Sequence, residues 1–272
     1  MAAGFDTVWF LSDYGLDDEF VGVVKAVIRA IAPSVGVVDI THGIPPHDVR
    51  AGSLALVRSI QYLSLSPGVV LAVVDPGVGS DRRAVAVEVG DEERTVLVGP
   101  DNGLLAPAVA MAGGARRTVE LTDAEYHLPA PGPTFAGRDV FAPAVAHLCA
   151  GVDIDQLGEP VDPLALVPGI VPLSRQEDGK VVGEVLWVDH FGNAQLNVGP
   201  DDLAGMDDHV SVRIGEKTRA AVRVASFAEL RQGQVGLIVD SYGMMAVVLQ
   251  KRSAAEELRL ATGDGVTLEA AE

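Results

Sequence analysis

The chain has 272 residues, with 20 lysines and arginines against 38 aspartates and glutamates, which gives a formal net charge of −18. This length allows one large domain or two modest ones, and a hydrophobic fraction of 48% is ample for a packed core. The acidic balance argues against a nucleic-acid or anionic-membrane partner, because binding polyphosphate requires a basic stripe. No apolar run approaches the roughly 18 residues that span a bilayer, so we predict no transmembrane segment.

The N-terminus lacks a basic segment followed by a long apolar core, so the sequence does not predict a signal peptide. The single cysteine, Cys149, permits no internal disulfide and no cysteine-rich zinc site. It lies in an apolar helical run, where a buried and inert thiol is the simplest interpretation. We therefore expect a soluble cytoplasmic protein.

Residues 1–165 alternate short apolar runs with helical periodicity, which predicts an α/β N-terminal domain with a mostly parallel sheet covered on both faces. Between Asp17 and Ala32, for example, apolar residues recur at i, i+3 and i+4, and Pro33 ends the pattern. The predicted strands are 7–11, 35–40, 69–74, 84–89 and 95–98, the last two joined by a polar turn at 90–94. The predicted helices are 17–32, 48–63, 104–111 and 140–149.

The sequence pattern changes after about residue 152, where prolines become frequent and the apolar periodicity fades. We predict a linker at 166–179 and a second domain at 180–272. There, short apolar runs are punctuated by glycine and aspartate without long helices, which favours a small antiparallel sandwich or barrel. The predicted strands are 181–188, 210–214, 220–224, 235–239 and 245–249.

Polar clusters follow several strands of the predicted α/β sheet, at the edge where ligands bind in open sheets of this kind. Asp17, Asp18 and Glu19 are most simply helix-capping charges. Asp13 and Asp75 are harder to explain structurally, because each ends a strand predicted to be buried, where an unpaired carboxylate is costly. For these two we favour a binding or catalytic role.

Other chemistries find less support in the sequence. His42 and His47 are separated by Pro45 and Pro46, so they cannot share one helix face as metal ligands. The glycine-rich turn at 77–79 lacks the lysine of a phosphate-binding loop. Neither a G-x-S-x-G motif nor a paired cysteine nucleophile is evident. We predict no metal and no cofactor.

Two turns in the second half contain an aspartate, an aromatic residue and a glycine, at 189–193 and 240–243. They are explained equally well in two ways. Either they are structural turns in which glycine supplies a positive φ, or their aromatic and polar side chains stack on a purine and bind its edge. Residue spacing alone leaves both interpretations open.

Taken together, these segments resemble the S-adenosylmethionine (SAM) hydroxide adenosyltransferase family of SAM hydrolases, which is related to the SAM-dependent fluorinase and chlorinase. Seven short motifs occur in family order, and they cover nearly the whole chain. They are S-D-Y-G at 12–15, T-H-G-I-P at 41–45, D-P-G-V-G at 75–79, P-D-N-G-L at 100–104, G-R-D at 137–139, F-G-N at 191–193 and S-Y-G at 241–243. One such motif is weak evidence, whereas seven in order are strong.

The resemblance implies an α/β N-terminal domain and a β-barrel-like C-terminal domain. It also implies hydrolysis of SAM to adenosine and L-methionine in a homotrimer, with each site formed between the N-terminal domain of one subunit and the C-terminal domain of its neighbour. Asp75 and Arg82 match two members of a catalytic set that acts on water. The residues matched to substrate binding are Asp13, Phe135, Asp189, Phe191, Asn193, Phe227 and Ser241.

One position departs from the family pattern. The third catalytic member is a histidine in the hydrolases, and this chain has Ala136 there. Because a general acid or base typically contributes roughly 10²–10⁴-fold, we expect a weakened hydrolase. A protein that binds SAM or adenosine without catalysis is the main alternative. A halogenase is less favoured, since the carboxylate of Asp75 would repel a halide ion.

Overall fold

The computed structural model describes residues 4–63, 67–90 and 94–271. Contacts between Cα atoms divide the chain into two compact units, Met1–Val171 and Pro172–Glu272. The domain and linker bounds given above stay a prediction. None of the helices in the described ranges is both long and apolar enough to cross a membrane.

Within its described residues, the first unit contains a seven-stranded sheet and four α-helices. The strands are β1 (Thr7–Ser12), β2 (Gly36–Thr41), β3 (Gly68–Val73), β4 (Ala84–Val89), β5 (Thr95–Pro100), β6 (Ala115–Glu120) and β7 (Glu159–Pro160), and the helices are α1 (Phe20–Ile31), α2 (Val49–Leu63), α3 (Ala106–Met111) and α4 (Ala142–Cys149). The sheet order is β2-β1-β3-β5-β4-β6-β7. Strands β2, β1, β3 and β5 are parallel, and β4, β6 and β7 extend the sheet by antiparallel pairing. The predicted α/β class is confirmed.

The central strand β3 shows why this sheet needs helices on both faces, since it is buried along its whole length. Val69 and Leu71 pack with α1 and α4, whereas Val70 and Ala72 pack with α2 and α3. This alternation is the two-residue period of an extended strand. Parallel pairing of β3 with β1 places the carboxyl ends of the two strands side by side, and the candidate site lies at these ends.

Three local predictions need correction. Helix α1 begins at Phe20, three residues later than expected, and Glu19 at its N-cap makes no side-chain capping hydrogen bond. The predicted helix at 140–149 is preceded by a π-helical turn, Gly137–Phe141, in which the Ala142 N–H donates to the Gly137 carbonyl. Strand β6 was missed because its two arginines mask its alternation. Part of the predicted turn at 90–94 lies outside the described residues.

The second unit is a β-barrel. Its elements are β8 (Arg175–Glu177), β9 (Lys180–Val188), β10 (Ala194–Leu196), β11 (His209–Ile214), β12 (Lys217–Arg223), β13 (Val235–Val239), β14 (Met245–Leu249), α5 (Ala254–Leu258) and β15 (Gly265–Ala270). Strands β10, β14, β13, β12, β11, β15 and β9 follow one another, and pairing of β10 with β9 closes the ring. Among the strands described in this unit, β12 and β13 alone pair in parallel. The predicted barrel is confirmed, with Val185, Val212 and Val247 fully buried in its core.

Candidate active site

A cavity of about 260 Å³ lies at the carboxyl ends of β1 and β3 in the first unit. Four of the residues predicted from the sequence line it: Asp13, Asp75, Phe135 and Ala136. The remaining lining residues are Tyr14, Phe20, Pro46, His47, Val78, Thr134 and Gly137. The rule that ligands bind beyond the carboxyl ends of parallel strands therefore located a real depression in this unit.

Asp75 and Arg82 form a two-pronged ion pair beside this cavity. Arg82 Nε donates to Oδ1 and Oδ2 of Asp75 at 2.9 and 3.0 Å, and Nη2 donates to Oδ2 at 2.6 Å. The side chains are 6% and 15% exposed respectively. The Arg82 guanidinium also lies 5.3 Å from the centre of the Phe141 ring. Bidentate pairs of this kind are strong and fix the carboxylate in one orientation.

A tight turn between Asp75 and Arg82 brings the two partners together. The Val78 N–H donates to the Asp75 carbonyl at 3.2 Å, and the Ser80 hydroxyl donates to the Gly77 carbonyl at 2.6 Å. Gly79 has a φ of +80°, and a Cβ there would lie 3.1 Å from the Pro133 carbonyl oxygen. The glycine-rich turn is therefore a device for positioning Asp75, in a conformation that favours glycine.

Asp13 is anchored differently, by a backbone donor from another loop. The His47 N–H donates to Asp13 Oδ2 at 2.9 Å. Behind it, the Ser12 hydroxyl lies 2.8 Å from Nδ1 of His42, and both residues are buried. His42 thus belongs to the supporting core, whereas His47 lines the cavity. The two histidines do not face a common site.

An aromatic cluster forms one wall of the cavity. The rings of Tyr14, Phe20 and Phe135 have centroids 5.0–5.9 Å apart. Burial raises the pKa of Tyr14, and the negative charges of Asp13 and Asp75 raise it further, so the phenol stays protonated. A Cβ at Gly137 would lie only 2.1 Å from the Tyr14 hydroxyl oxygen. Glycine at 137 is therefore required for Tyr14 to reach this position.

Ala136 is the N-cap residue of the π-helical turn, and its side chain contributes only a methyl group to the cavity. Next to it, Arg138 pairs with the buried Asp139 at 2.6 Å and lies 5.1 Å from the centre of the Phe135 ring. Turns of this type are frequent at functional sites. This segment holds Phe135 and the backbone of residue 136 at the cavity wall.

The second unit has a larger depression of its own, about 530 Å³ in volume. It contains all five residues predicted there: Asp189, Phe191, Asn193, Phe227 and Ser241. An adjoining cavity of about 750 Å³ shares Phe191, Asn193 and Phe227. Among its large hydrophobic lining residues, Phe191 is the most open to solvent, with 75% of its surface exposed. This face offers flat apolar surface with polar groups around it, as expected for a site that binds an aromatic ring.

The two turns identified in the sequence are built in the same way. Asp189 Oδ1 accepts from the N–H groups of Phe191 and Asn193 at 2.9 and 2.8 Å. Asp240 Oδ1 accepts from Tyr242 and Met244 at 2.9 and 3.1 Å. Gly192 and Gly243 both have a φ of +80°. In both turns glycine supplies the positive φ, as expected, and each turn presents its aromatic residue to the same cavity. Binding of a purine by these aromatic residues stays a prediction.

The hydrogen bonds that Asp189 accepts within the protein reduce its capacity to accept hydrogen bonds from a ligand. Its Oδ2 accepts from Nδ2 of Asn193 at 2.8 Å, so both carboxylate oxygens already have protein donors. Asp189 holds Phe191 and Asn193 in place, and its contact with a substrate stays a prediction.

Several cavity residues escaped sequence reasoning. Tyr14 occurs inside a quoted motif but was given no role, and His47 was considered only as a metal ligand. Trp187 lines the second-unit cavity, and Arg252 and Ser253 line the one beside it. Ser253 carries a recognisable signal, because its hydroxyl caps α5 by accepting from the Glu256 N–H at 3.0 Å. Within the described ranges, no group of three or more histidine, cysteine or acidic residues is arranged to hold a metal ion.

Comparison with known proteins identifies the class to which this fold and site belong. A family model for the SAM hydroxide adenosyltransferase N-terminal domain matches residues 8–158, and the model for the C-terminal domain matches residues 183–267. Two relatives named (R)-S-adenosyl-L-methionine hydrolase, from Salinispora tropica and Thermus thermophilus, are both 42% identical. They align over 95% and 96% of this chain and over 96% and 98% of their own lengths. The chain belongs to the SAM hydroxide adenosyltransferase family.

More distant relatives and a solved structure agree with this placement. A fluorinase from an Actinoplanes species is 27% identical over 98% of both chains. The crystal structure of an uncharacterised conserved protein from Thermotoga maritima superposes with a TM-score of 0.87 at 34% identity. It covers 96% of this chain and 99% of the other. The sequence resemblance and the fold therefore lead to the same family.

Proposed function

We propose that this protein hydrolyses S-adenosyl-L-methionine by attack of water at C5′, giving adenosine and L-methionine. The observation that carries the proposal is the buried Asp75–Arg82 pair beside a small cavity at the carboxyl edge of the sheet. The names of the relatives that align along nearly the full chain support the same activity.

The main requirement that this reaction places on the protein is to position the reactants. In SAM the sulfur is a cation, and when the C5′–S bond breaks it leaves as a neutral thioether with the bonding electrons. A water oxygen forms the new bond to C5′ and loses a proton. Holding one water in line with the C5′–S bond lowers the activation free energy by several kcal/mol. Asp75 orients that water, and Arg82 holds Asp75 and stabilises the developing hydroxide.

The other residues bind the substrate in this proposal. Asp13 lies near the methionine or ribose end of the substrate, and Phe135 and Phe227 form walls of the pocket. Phe191 and Asn193 contact the nucleoside. Asp189 binds the methionine or ribose portion, and Ser241 contacts the amino-acid carboxylate. Following the family resemblance, the protein is a homotrimer in which the N-terminal domain of one subunit and the C-terminal domain of a neighbour enclose each substrate. It works in the cytoplasm with no added cofactor and no nucleic-acid or membrane partner.

Halide transfer is the activity suggested by the fluorinase relative, and one observation disfavours it. The cavity of the first unit is lined by the carboxylates of Asp13 and Asp75, and Arg82 is already engaged by Asp75. An anionic nucleophile would meet repulsion there. A catalytically inactive SAM-binding protein is the other alternative, motivated by Ala136.

The test incubates the purified chain with SAM and follows adenosine and methionine by liquid chromatography and mass spectrometry. The two sulfonium epimers are supplied separately, because the curated relatives are named for the R form, and we expect the R epimer to react faster. Parallel samples contain EDTA or chloride. Stoichiometric adenosine and methionine, unaffected by EDTA and without a 5′-chloro product, support the proposal. Substrate binding without product would contradict it.

A further inference from the structure

The cavity of the first unit has few groups that can accept a proton from an attacking water. Its titratable lining residues are Asp13, Tyr14, His47 and Asp75. Both oxygens of Asp75 accept from Arg82, and Asp13 accepts from the His47 backbone. Tyr14 remains a protonated phenol because its pKa is raised. Ala136 has no polar atom in its side chain.

His47 differs from the other three in having an unengaged side chain. Across the described ranges 4–63, 67–90 and 94–271, no hydrogen bond, ion pair or ring contact involves its imidazole. The side chain lines the cavity and is also exposed to solvent. A proton that reached the imidazole could therefore pass directly to bulk water. Histidine is the side chain best suited to such transfer near neutral pH.

The backbone at His47 is held in an uncommon conformation. Its φ is 68°, in the left-handed region that few residues other than glycine adopt. The Asp48 N–H donates to the Pro45 carbonyl at 3.0 Å, and the His47 N–H reaches Asp13 at 2.9 Å. These contacts fix the turn and aim the histidine at the cavity wall. Such conformations cost free energy and cluster at functional sites.

We propose that His47 is a catalytic residue that accepts the proton of the attacking water. As the water oxygen bonds to C5′ and the C5′–S electron pair passes to sulfur, one water proton moves to an imidazole nitrogen. The imidazolium then releases it to solvent, so the net products are adenosine, methionine and one proton. This inference rests on the proposed function. It gives the chain a base in the cavity where Ala136 supplies none.

The first experiment measures kcat and KM for SAM with His47→Asn. Asparagine tolerates a positive φ and keeps a polar side chain but cannot serve as a base. We expect kcat to fall about 10²-fold with KM within about twofold of the unsubstituted chain. His209→Ala removes an exposed histidine in the second unit as a matched control and leaves both constants unchanged. A rise in KM with unchanged kcat would make His47 a binding residue and overturn the proposal.

A second experiment separates proton transfer from structural support. His47→Gly accommodates the positive φ and leaves space for imidazole added to the buffer. Recovery of at least tenfold in kcat with added imidazole, saturating with its concentration, is expected. A loss of kcat that imidazole does not restore would assign His47 a structural role.

Ala136→His supplies the third readout, because position 136 lines the same cavity. We expect it to raise kcat at least tenfold in the His47→Asn background and less than about threefold in the unsubstituted chain, since one imidazole then replaces the other. Equal gains in both backgrounds would overturn the inference. If the unsubstituted chain releases no adenosine at all, the proposed function fails instead, so the two failures are distinguishable.

Discussion

The cavities of the two units hold their carboxylates in different ways. In the first unit, Asp75 is bound by a guanidinium, and its orientation depends on one side-chain pair. In the second unit, Asp189 and Asp240 accept hydrogen bonds mainly from N–H groups of their own turns. These two carboxylates therefore fix the backbone conformation of the turns. The Asp75–Arg82 pair places an oriented carboxylate at a small cavity, whereas the turns at Asp189 and Asp240 present exposed aromatic rings.

This difference separates chemistry from recognition in the proposed function. A buried ion pair beside a cavity of about 260 Å³ suits an electrostatic task on one water molecule. A broader face with Phe191 and Tyr242 at its turns suits binding of a planar group. We therefore expect substitutions at the Asp75–Arg82 pair to lower kcat and substitutions in the second cavity to raise KM.

The largest effect is expected for Asp75→Asn, which removes the charge while keeping the shape. We expect kcat for SAM to fall about 10²–10⁴-fold and KM to change by less than about threefold, because the residue acts on water. Steady-state adenosine release measures both constants. Equal losses in turnover and SAM binding would contradict the assigned role.

The adjacent arginine provides a matched control for Asp75→Asn. Arg83 grips Asp101 with Nε at 2.9 Å and Nη2 at 2.6 Å, and the Asp101 side chain is 3% exposed, yet Asp101 does not line the cavity. Asp101→Asn therefore breaks a second ion pair whose carboxylate is buried. We expect a comparable loss in the free energy of unfolding, since breaking a buried pair costs roughly 3–5 kcal/mol, with kcat retained below the melting transition.

The twin turns of the second unit allow a paired test of stability. A Cβ at Gly192 would lie 2.0 Å from Ser253 Oγ and 2.7 Å from its Cα, whereas nothing lies within 4 Å of a Cβ at Gly243. Since both residues have the same φ, Gly243→Ala should cost only about 1 kcal/mol of backbone strain. Gly192→Ala should cost about 3 kcal/mol or more, because Ser253 must move.

Tryptophan fluorescence during urea unfolding measures this pair of variants. The chain has two tryptophans, and Trp187 contacts Tyr242 in one of the turns. In a Trp9→Phe background, Trp187 is the sole tryptophan and reports on the second unit. Similar losses for the two glycine variants would show that the Ser253 contact is unimportant.

Much of the fold follows from local patterns in the sequence. The apolar runs of β1 and β3 predicted buried parallel strands, and the position of Asp13 and Asp75 after them placed both residues at one cavity. Five strands of the barrel, β9 and β11 to β14, were predicted from short apolar runs in a sequence punctuated by glycine and aspartate. These features depend on residues close together in the chain, so a single sequence records them.

What escaped prediction depends on contacts between distant segments. The closing strand β10 has three residues, too few for a visible period, and is defined by its neighbours β9 and β14. The partner of Asp13 is a backbone N–H 34 residues away. The positive φ of His47 likewise has no residue-type signal, because histidine does not demand it.

The smallest of these effects is expected for Phe191→Ala in the second cavity. Its ring is 75% exposed and held at the tip of the turn by Asp189, so removing it should leave the fold intact. Stacking of an aromatic side chain on a base is worth roughly 1–3 kcal/mol, and we expect KM for SAM to rise about tenfold with kcat within twofold. Tyr62→Ala removes another exposed aromatic ring, on α2 and outside the cavities described above, and serves as the control. A fall in kcat at constant KM would instead place Phe191 in the chemical step. It would contradict the assignment of catalysis to the first cavity and of substrate binding to the second.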